Sequence, residues 1–355
     1  MVSFLFFFSF LLFFWLFFEK RRWIWGAVSA LILGLSFYAY PYTWSFIYAF
    51  LGVLCLILLF LKKWQDIKRI ILMALAGIII AIPYFLNFYA STLYPLFREI
   101  GYRFRLVETH QPIFGFLVPS MFIIFLLFFS RKWRERYIFC LALFIAPFIV
   151  LNQQIITGKD FSSGHYHWVM HQPLAIIFLI IILFYQIKFW SRHAGKLFKN
   201  INISKLSAFL IIGISIYTAI LIQSASYKKS EAQILYDQRY GPIVKWLNTN
   251  AEKEEVVLAA SFQSDILSAY TSLNQFYSSG GLMSLSASNE RMLNSIFLFY
   301  RLDGVSGESA RDLFLQEKER SNISVGIYGI YYKNTAGSYA AIPDQLLLSF
   351  AKEYQ

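Results

Sequence analysis

The sequence predicts a polytopic α-helical membrane protein with about eight transmembrane helices and a C-terminal extracytoplasmic α/β domain. Three observations support this prediction. Of the 355 residues, 58% are hydrophobic and only 15% are charged, whereas soluble domains have about 25% charged residues. Long apolar runs recur throughout residues 1–223, and residues 224–355 return to an ordinary mixture of polar and apolar side chains.

Residues 1–223 are predicted to form a transmembrane helical bundle, because their apolar runs have roughly the length that crosses a hydrocarbon core of about 30 Å. The predicted spans are 3–18, 24–40, 44–61, 70–90, 113–129, 137–151, 173–190 and 206–223. A tight hairpin at Tyr40-Pro41-Tyr42 separates the second span from the third. A span that begins at residue 3 is also expected of the C-terminal part of a longer membrane protein.

The distribution of charge predicts the orientation of the bundle. The net charge of +12 would suggest a nucleic-acid partner in a soluble protein, but residues 1–223 carry +14 and residues 224–355 carry −2. Sixteen basic residues lie in one set of loops between the spans and four in the alternate set. Cytoplasmic loops are the basic ones, so we expect a multi-pass protein of the cell membrane. Its N-terminus and C-terminal domain are then extracytoplasmic, and no nucleic-acid partner is predicted.

Residues 224–355 are predicted to form the α/β domain, because helical and strand patterns alternate in them. The predicted helices are 229–248, 264–272, 290–300 and 308–320, with a last helix after Pro343. The predicted strands are 255–260, 275–279 and 323–332. The two cysteines of the chain, Cys55 and Cys140, lie in predicted spans, so no disulfide framework is expected.

The external loop 91–112 is the first candidate site, because its arginines lie on the side of the membrane where basic residues are rare. Arg98, Arg103 and Arg105 are candidates for binding a lipid headgroup or a lipid-linked phosphate, since a guanidinium binds phosphate through two hydrogen bonds. The alternative is an interfacial amphipathic helix whose arginines meet ordinary headgroups.

Two acids are candidate catalytic residues. Glu108 is a candidate general base, because His110 and the neighbouring arginines would tune its protonation. Asp160, in the next external loop, is the second candidate. The alternative for Glu108 is a surface ion pair with Arg103 or Arg105.

The second candidate site is the polar loop after the sixth predicted span. Its candidate substrate-binding and phosphate-binding residues are Asn152, Gln153, Gln154, Lys159, His165, His167 and Trp168. If the segment is extended, His165 and His167 share one face, which is a spacing that a divalent metal can use. The alternatives are a sugar or phosphate site with Trp168 or Tyr166 as a stacking surface, and a structural loop whose polar groups cap two spans. No metal ligand set is assigned.

The arrangement resembles the integral-membrane glycosyltransferases of the GT-C type. The features that carry the resemblance are the many spans, the basic cytoplasmic loops, the hairpin 40–44, the polar loop 152–168 and the terminal extracytoplasmic domain. The resemblance implies a polyprenyl-phosphate-linked sugar donor that is used at the external face.

The chain departs from that family in two respects. It lacks the large first external loop that normally carries the catalytic acid, and it lacks a Trp-Trp-Asp motif, since Leu247-Asn248 follow Trp246. The resemblance therefore implies either a fragment without its catalytic acid or a divergent member, and it transfers no catalytic residue to this chain.

Two hypotheses about function remain at this point. One is a membrane glycosyltransferase, or a fragment of one, that takes a sugar from a lipid-linked donor. The other is a non-enzymatic membrane protein that binds a partner or transports a substrate. Transport is less favoured, because the sequence shows neither repeated halves nor charged residues inside the spans.

Overall fold

A computed structural model describes residues 2–103, 106–128, 134–161, 164–193, 203–259, 261–276, 287–316 and 343–355. The helices are α1 (Val2–Lys20), α2 (Trp23–Ala39), α3 (Pro41–Phe60), α4 (Trp64–Ile80), α5 (Ile82–Thr92), α6 (Phe97–Arg103), α7 (Leu117–Phe128), α8 (Arg134–Leu151), α9 (Gln154–Thr157), α10 (Gly164–Tyr166), α11 (Gln172–His193), α12 (Ile203–Gln238), α13 (Gly241–Asn250), α14 (Ser261–Tyr270), α15 (Asn289–Leu302), α16 (Gly307–Gln316) and α17 (Asp344–Tyr354). The strands are β1 (Leu106–Glu108), β2 (Lys159–Phe161), β3 (Val256–Val257) and β4 (Asn274–Gln275), and a π-helical turn covers His167–His171.

The prediction of a helical membrane protein is confirmed. Among the described residues, the helices that are long and apolar enough to cross a membrane are Val2–Lys20, Pro41–Phe60, Glu135–Thr157 and Gly164–Ile182. The helices α4 and α5 together make a fifth candidate that is bent by 56°. Trp23–Ala39 and Leu117–Leu127 are shorter apolar helices. The number of eight spans therefore stays a prediction.

The chain divides into two compact units. The first unit comprises residues 1–91 and 109–214, and the second comprises residues 92–108 and 215–355. Helix α12 continues without a break through this division and through residue 224, where the composition of the sequence changes.

Phenylalanines hold the core of the first unit together. Helix α1 buries one face that includes Phe7, Phe14 and Phe17, at the spacing that places side chains on one side of a helix. The Phe7 ring lies 5.2 Å from the ring of Phe46, and the Phe14 ring lies 5.7 Å from that of Phe50, both in edge-to-face geometry. Because lipid is as apolar as the core, such close packing rather than water exclusion must hold these helices together.

Helices α2 and α4 approach each other at glycines. A Cβ atom on Gly34 would lie 2.5 Å from Cβ of Ile80 and 2.9 Å from the Gly77 carbonyl oxygen. A Cβ atom on Gly77 would lie 3.0 Å from Cγ of Leu33. Small residues at a helix contact allow the backbones to come this close in a membrane.

The second unit contains one described pair of strands. Strands β3 and β4 are parallel, with Val256 opposite Asn274 and Val257 opposite Gln275, and α14 forms the crossover between them. The predicted strand 323–332 lies outside the described residues, so the α/β domain stays a prediction.

Helices α15, α16 and α17 form the core of the second unit. They bury Ile296, Phe314 and Leu347 completely. The C-terminal helix is held at its end, because the Tyr354 hydroxyl donates to the Val305 carbonyl (2.7 Å) and Arg301 donates to the Tyr354 carbonyl (3.1 Å).

We expect the variant Gly34→Ala to unfold more easily than the wild-type protein, because its new methyl group overlaps Ile80 and the Gly77 carbonyl. Overpacking of this kind typically costs about 1–3 kcal/mol. The measurement is the thermal unfolding midpoint of the purified protein in detergent. Gly52→Ala is the matched control, because no atom lies within 4 Å of the added Cβ. Equal midpoints for the two variants would show that α2 and α4 do not meet as described.

Candidate functional site

A cavity of about 550 Å³ lies in the first unit, and we call it the aromatic cavity. Its apolar walls include Trp44 of α3, Tyr84, Phe85 and Phe88 of α5, and Val150 of α8. The volume falls within the range of about 300–1,000 Å³ that is usual for ligand sites. Among the described residues that line the cavity, none carries a charge, so the cavity is suited to an apolar ligand.

Helix α3 supplies one wall of the cavity through its first two turns. Pro41 is its first residue, a position where proline fits because its missing N–H would have had no helical acceptor. Tyr42, Ser45 and Ala49 follow at intervals of three and four residues and all line the cavity. This spacing places them on a single face of the helix.

Helix α5, which follows a bend after α4, supplies a second wall of the cavity. The bend falls at Ala81, two residues before Pro83, which cannot donate a helical hydrogen bond. At the bend, the Tyr38 hydroxyl donates to the Ile80 carbonyl at 3.2 Å. Helix α5 buries none of its side chains fully, and the ring of Phe85 lies 5.1 Å from the ring of Phe37.

Polar groups meet at one margin of the cavity, around the turn α10. The hydroxyls of Ser45 and Tyr166, which both line the cavity, are hydrogen-bonded at 2.8 Å. The Tyr40 hydroxyl and Nδ1 of His165 are 2.5 Å apart. The ring of Tyr42 stacks on the His165 ring, with centroids 4.7 Å apart and planes 17° from parallel. The phenol and the ring nitrogen can each donate or accept, so the direction of this hydrogen bond follows the tautomer of His165.

The side-chain amides of the polar loop are largely engaged in holding the chain. Asn152 accepts the Ile113 N–H at 2.8 Å and donates to the Phe148 carbonyl at 3.0 Å. Gln154 donates to the Gln111 carbonyl at 3.0 Å. Asn152 and Gln154 therefore fasten the segment before α7 to the end of α8, as a structural loop would.

Gln153 connects the polar loop to the cavity. Its side chain lines the cavity, donates to the Lys159 carbonyl at 2.7 Å and accepts from Thr157 at 2.8 Å. Gly158 adopts a φ of 71° between these residues, a conformation that glycine adopts most easily. The turn at Gly158 thus places the backbone of Lys159 beside the Gln153 side chain, which lines the cavity.

The two ionisable residues of β2 differ in exposure. Lys159 is exposed, whereas Asp160 is only 7% exposed. The Asp160 carboxylate is close enough to the phenol of Tyr166 to interact with it electrostatically. Asp160 is therefore the predicted catalytic acid that belongs to the same unit as the cavity.

The other predicted site residues belong to the second unit. Arg98 is exposed on α6, and the backbones of Arg103 and Glu108 lie at the end of α6 and in β1. Arg105 lies outside the described residues. Glu99, in the same segment, accepts the N–H of Asn289 at 2.9 Å, at the first turn of α15. An acid is stabilised there by the helix dipole, so Glu99 has a structural partner.

The histidine segment is helical, not extended as expected. His165 lies in α10 and His167 begins the π-helical turn, so the two rings do not share one face. His167 contacts the Gln172 amide at 3.2 Å, and Trp168 is 66% exposed. In the part of the chain that the structure describes, no group of three or more His, Cys, Asp or Glu side chains is placed to hold a metal ion.

Reasoning from the sequence did not select the aromatic wall of the cavity. Tyr42, Tyr84 and Tyr166 line it, and of these residues the sequence had suggested Tyr166 alone, as a stacking surface. The available signal was the series of residues 42, 45 and 49 on one face of a helix that starts at a proline. Aromatic residues are so frequent in this chain that the series did not stand out.

Comparison with known protein families, with curated proteins and with solved structures finds no match to this chain. The interpretation of the site therefore rests on its geometry and chemistry.

We expect Asn152→Ala to loosen the polar loop, because the variant loses both hydrogen bonds of the amide. A lost hydrogen bond that leaves a partner unsatisfied costs about 1–3 kcal/mol. Limited proteolysis and hydrogen exchange of residues 109–113 should both become faster. Gln111→Ala is the control, since it keeps the backbone carbonyl that Gln154 uses. Unchanged exchange in the Asn152 variant would contradict the described contacts.

Proposed function

We propose that this protein is a membrane glycosyltransferase, or part of one, that takes a sugar from a lipid-linked donor at the extracytoplasmic face. The observation that carries the proposal is the aromatic cavity with its polar margin. An amphiphilic donor needs both parts, because its hydrocarbon chain requires an uncharged space and its phosphate and sugar require hydrogen-bonding groups.

The position of the cavity along α3 supports an extracytoplasmic site. The cavity is lined by the first residues of α3, while Lys62 and Lys63 follow the other end of this helix, about 30 Å away at a rise of 1.5 Å per residue. Basic connections face the cytoplasm in membrane proteins. The cavity then opens on the side where lipid-linked sugars are offered to acceptors.

The transfer step requires a group that removes a proton from the acceptor hydroxyl. We assign this role to Asp160, because it is the predicted acid in the same unit as the cavity and lies close to Tyr166. Glu108 is the second candidate. A carboxylate that acts as a general base typically contributes a factor of about 10²–10⁴ to the rate.

The second candidate function is a non-enzymatic protein that binds a membrane lipid. One specific observation favours it: among the described residues that line the cavity there is no acid, and Asn152 and Gln154 bind the backbone of their own unit. Such a protein would bind the same amphiphile and release it unchanged.

We expect Ala49→Phe to prevent ligand binding, because the new ring occupies the cavity from the α3 wall. The measurement is the binding of a fluorescent polyprenyl phosphate to the purified protein in nanodiscs, and the affinity should fall at least about 10-fold. Ala27→Phe is the matched control, since Ala27 is exposed on α2. If both variants bind the probe as the wild type does, the cavity is not the lipid site.

Acid substitutions separate the enzyme from the lipid-binding protein. In membranes supplied with a panel of polyprenyl-phosphate sugars, Asp160→Asn should reduce the formation of glycosylated product by about 10²-fold or more. Glu108→Gln tests the second candidate acid in the same assay, and Asp303→Asn is the control at an exposed position. Product formation that is unchanged in both acid variants, or absent from the wild type with every sugar, would favour the non-enzymatic function.

A further inference from the structure

We infer that His165 binds the phosphate of the amphiphile whose chain occupies the aromatic cavity, with Lys159 as the accompanying cation. This inference rests on the proposed function, and it names the headgroup chemistry and the residues that recognise it. His165 and Lys159 belong to the first unit, as the cavity does.

The position of His165 follows from its neighbours. Tyr42 lines the cavity and also stacks on the imidazole at 4.7 Å. Tyr166, the next residue along the chain, lines the cavity as well, and it is hydrogen-bonded to Ser45. The imidazole itself is exposed. It therefore lies at the margin between the apolar cavity and the aqueous surface, where the headgroup of a bound amphiphile must be.

The hydrogen bond with Tyr40 determines which ring nitrogen can contact a ligand. Tyr40 occupies Nδ1 at 2.5 Å, so a ligand would meet the imidazole at Nε2. With its proton on Nε2, the neutral ring is a donor there, and an anion is its natural acceptor.

Lys159 is connected to the cavity wall through Gln153. The Gln153 side chain lines the cavity and holds the Lys159 carbonyl at 2.7 Å. The exposed side chain of Lys159 therefore starts from a backbone position that is tied to the cavity wall. A hydrogen-bond donor at the margin and a cation anchored to the wall of an uncharged cavity select a ligand that is apolar at one end and anionic at the other.

Three probes distinguish a lipid phosphate from its separate parts. Farnesyl phosphate carries both the chain and the anion, farnesol carries the chain alone, and inorganic phosphate is the anion alone. We expect the full-length protein in nanodiscs to bind farnesyl phosphate more tightly than farnesol, and inorganic phosphate at equal concentration to compete poorly.

The variant His165→Gln tests the assignment, because it replaces the imidazole and its Nε2 donor with a shorter polar side chain. Binding of farnesyl phosphate should weaken about 10- to 100-fold, as expected for a hydrogen bond to a charged group, and binding of farnesol should not change. Tyr40→Phe should weaken the binding of farnesyl phosphate less, because the imidazole remains and loses only the hydrogen bond that orients it. His110→Gln is the matched control, because His110 is another exposed histidine of the first unit and bonds the Ile155 carbonyl through Nδ1.

The two proposals fail in different ways. If farnesyl phosphate binds His165→Gln and the wild type equally, the role of His165 is wrong while the lipid site stands. If inorganic phosphate competes as well as farnesyl phosphate, the anion site is independent of the cavity and the inference is also wrong. If the wild type binds neither farnesyl phosphate nor farnesol, both the proposed function and this inference are overturned.

Discussion

At Gly34 and Gly77, helices α2 and α4 approach so closely that neither residue has room for a larger side chain. This contact sets the position of α4 against α2, and α4 leads directly into the bend at Ala81. The bend in turn directs α5 towards Phe37 and Trp44, whose rings stack at 4.6 Å. The existence of the cavity therefore depends on a helix contact that none of the cavity-lining residues makes.

The polar groups around the cavity and its loop fall into two classes according to their partners. Asn152 and Gln154 bond to backbone groups and so preserve the geometry of the loop, and Gln154 keeps its buried Oε1 without a hydrogen-bond partner among the described residues. Ser45, Tyr166, Tyr40 and His165 bond to each other through side chains, and they do so at the margin of an uncharged space. The second class is the one that can exchange a partner for a ligand without unfolding the loop.

The sequence predicted the membrane bundle well, because each apolar run is a local property of the chain. Each of the eight predicted runs lies largely within a helix or, for 70–90, within the bent pair α4 and α5. The candidate site was predicted only in part. The polar loop was identified from its amides and histidines, but the partners of those groups depend on contacts such as Tyr40 with His165, which are 125 positions apart. The prediction of an extended histidine segment was wrong. In α10 and the π-helical turn, the backbone groups of this segment form hydrogen bonds with neighbours close in sequence.

The glycine contact also has a consequence for how this chain can diverge. Exposed apolar positions of α4 such as Leu72 and Ile79 are constrained little by packing, so other apolar side chains serve there. A Cβ on Gly34 would force Ile80 or the Gly77 backbone to shift, and a Cβ on Gly77 would press on the Leu33 side chain. In distant relatives, two glycines at matching depth in the second and fourth helices should therefore persist after overall similarity has been lost, and this pair offers a way to recognise such relatives.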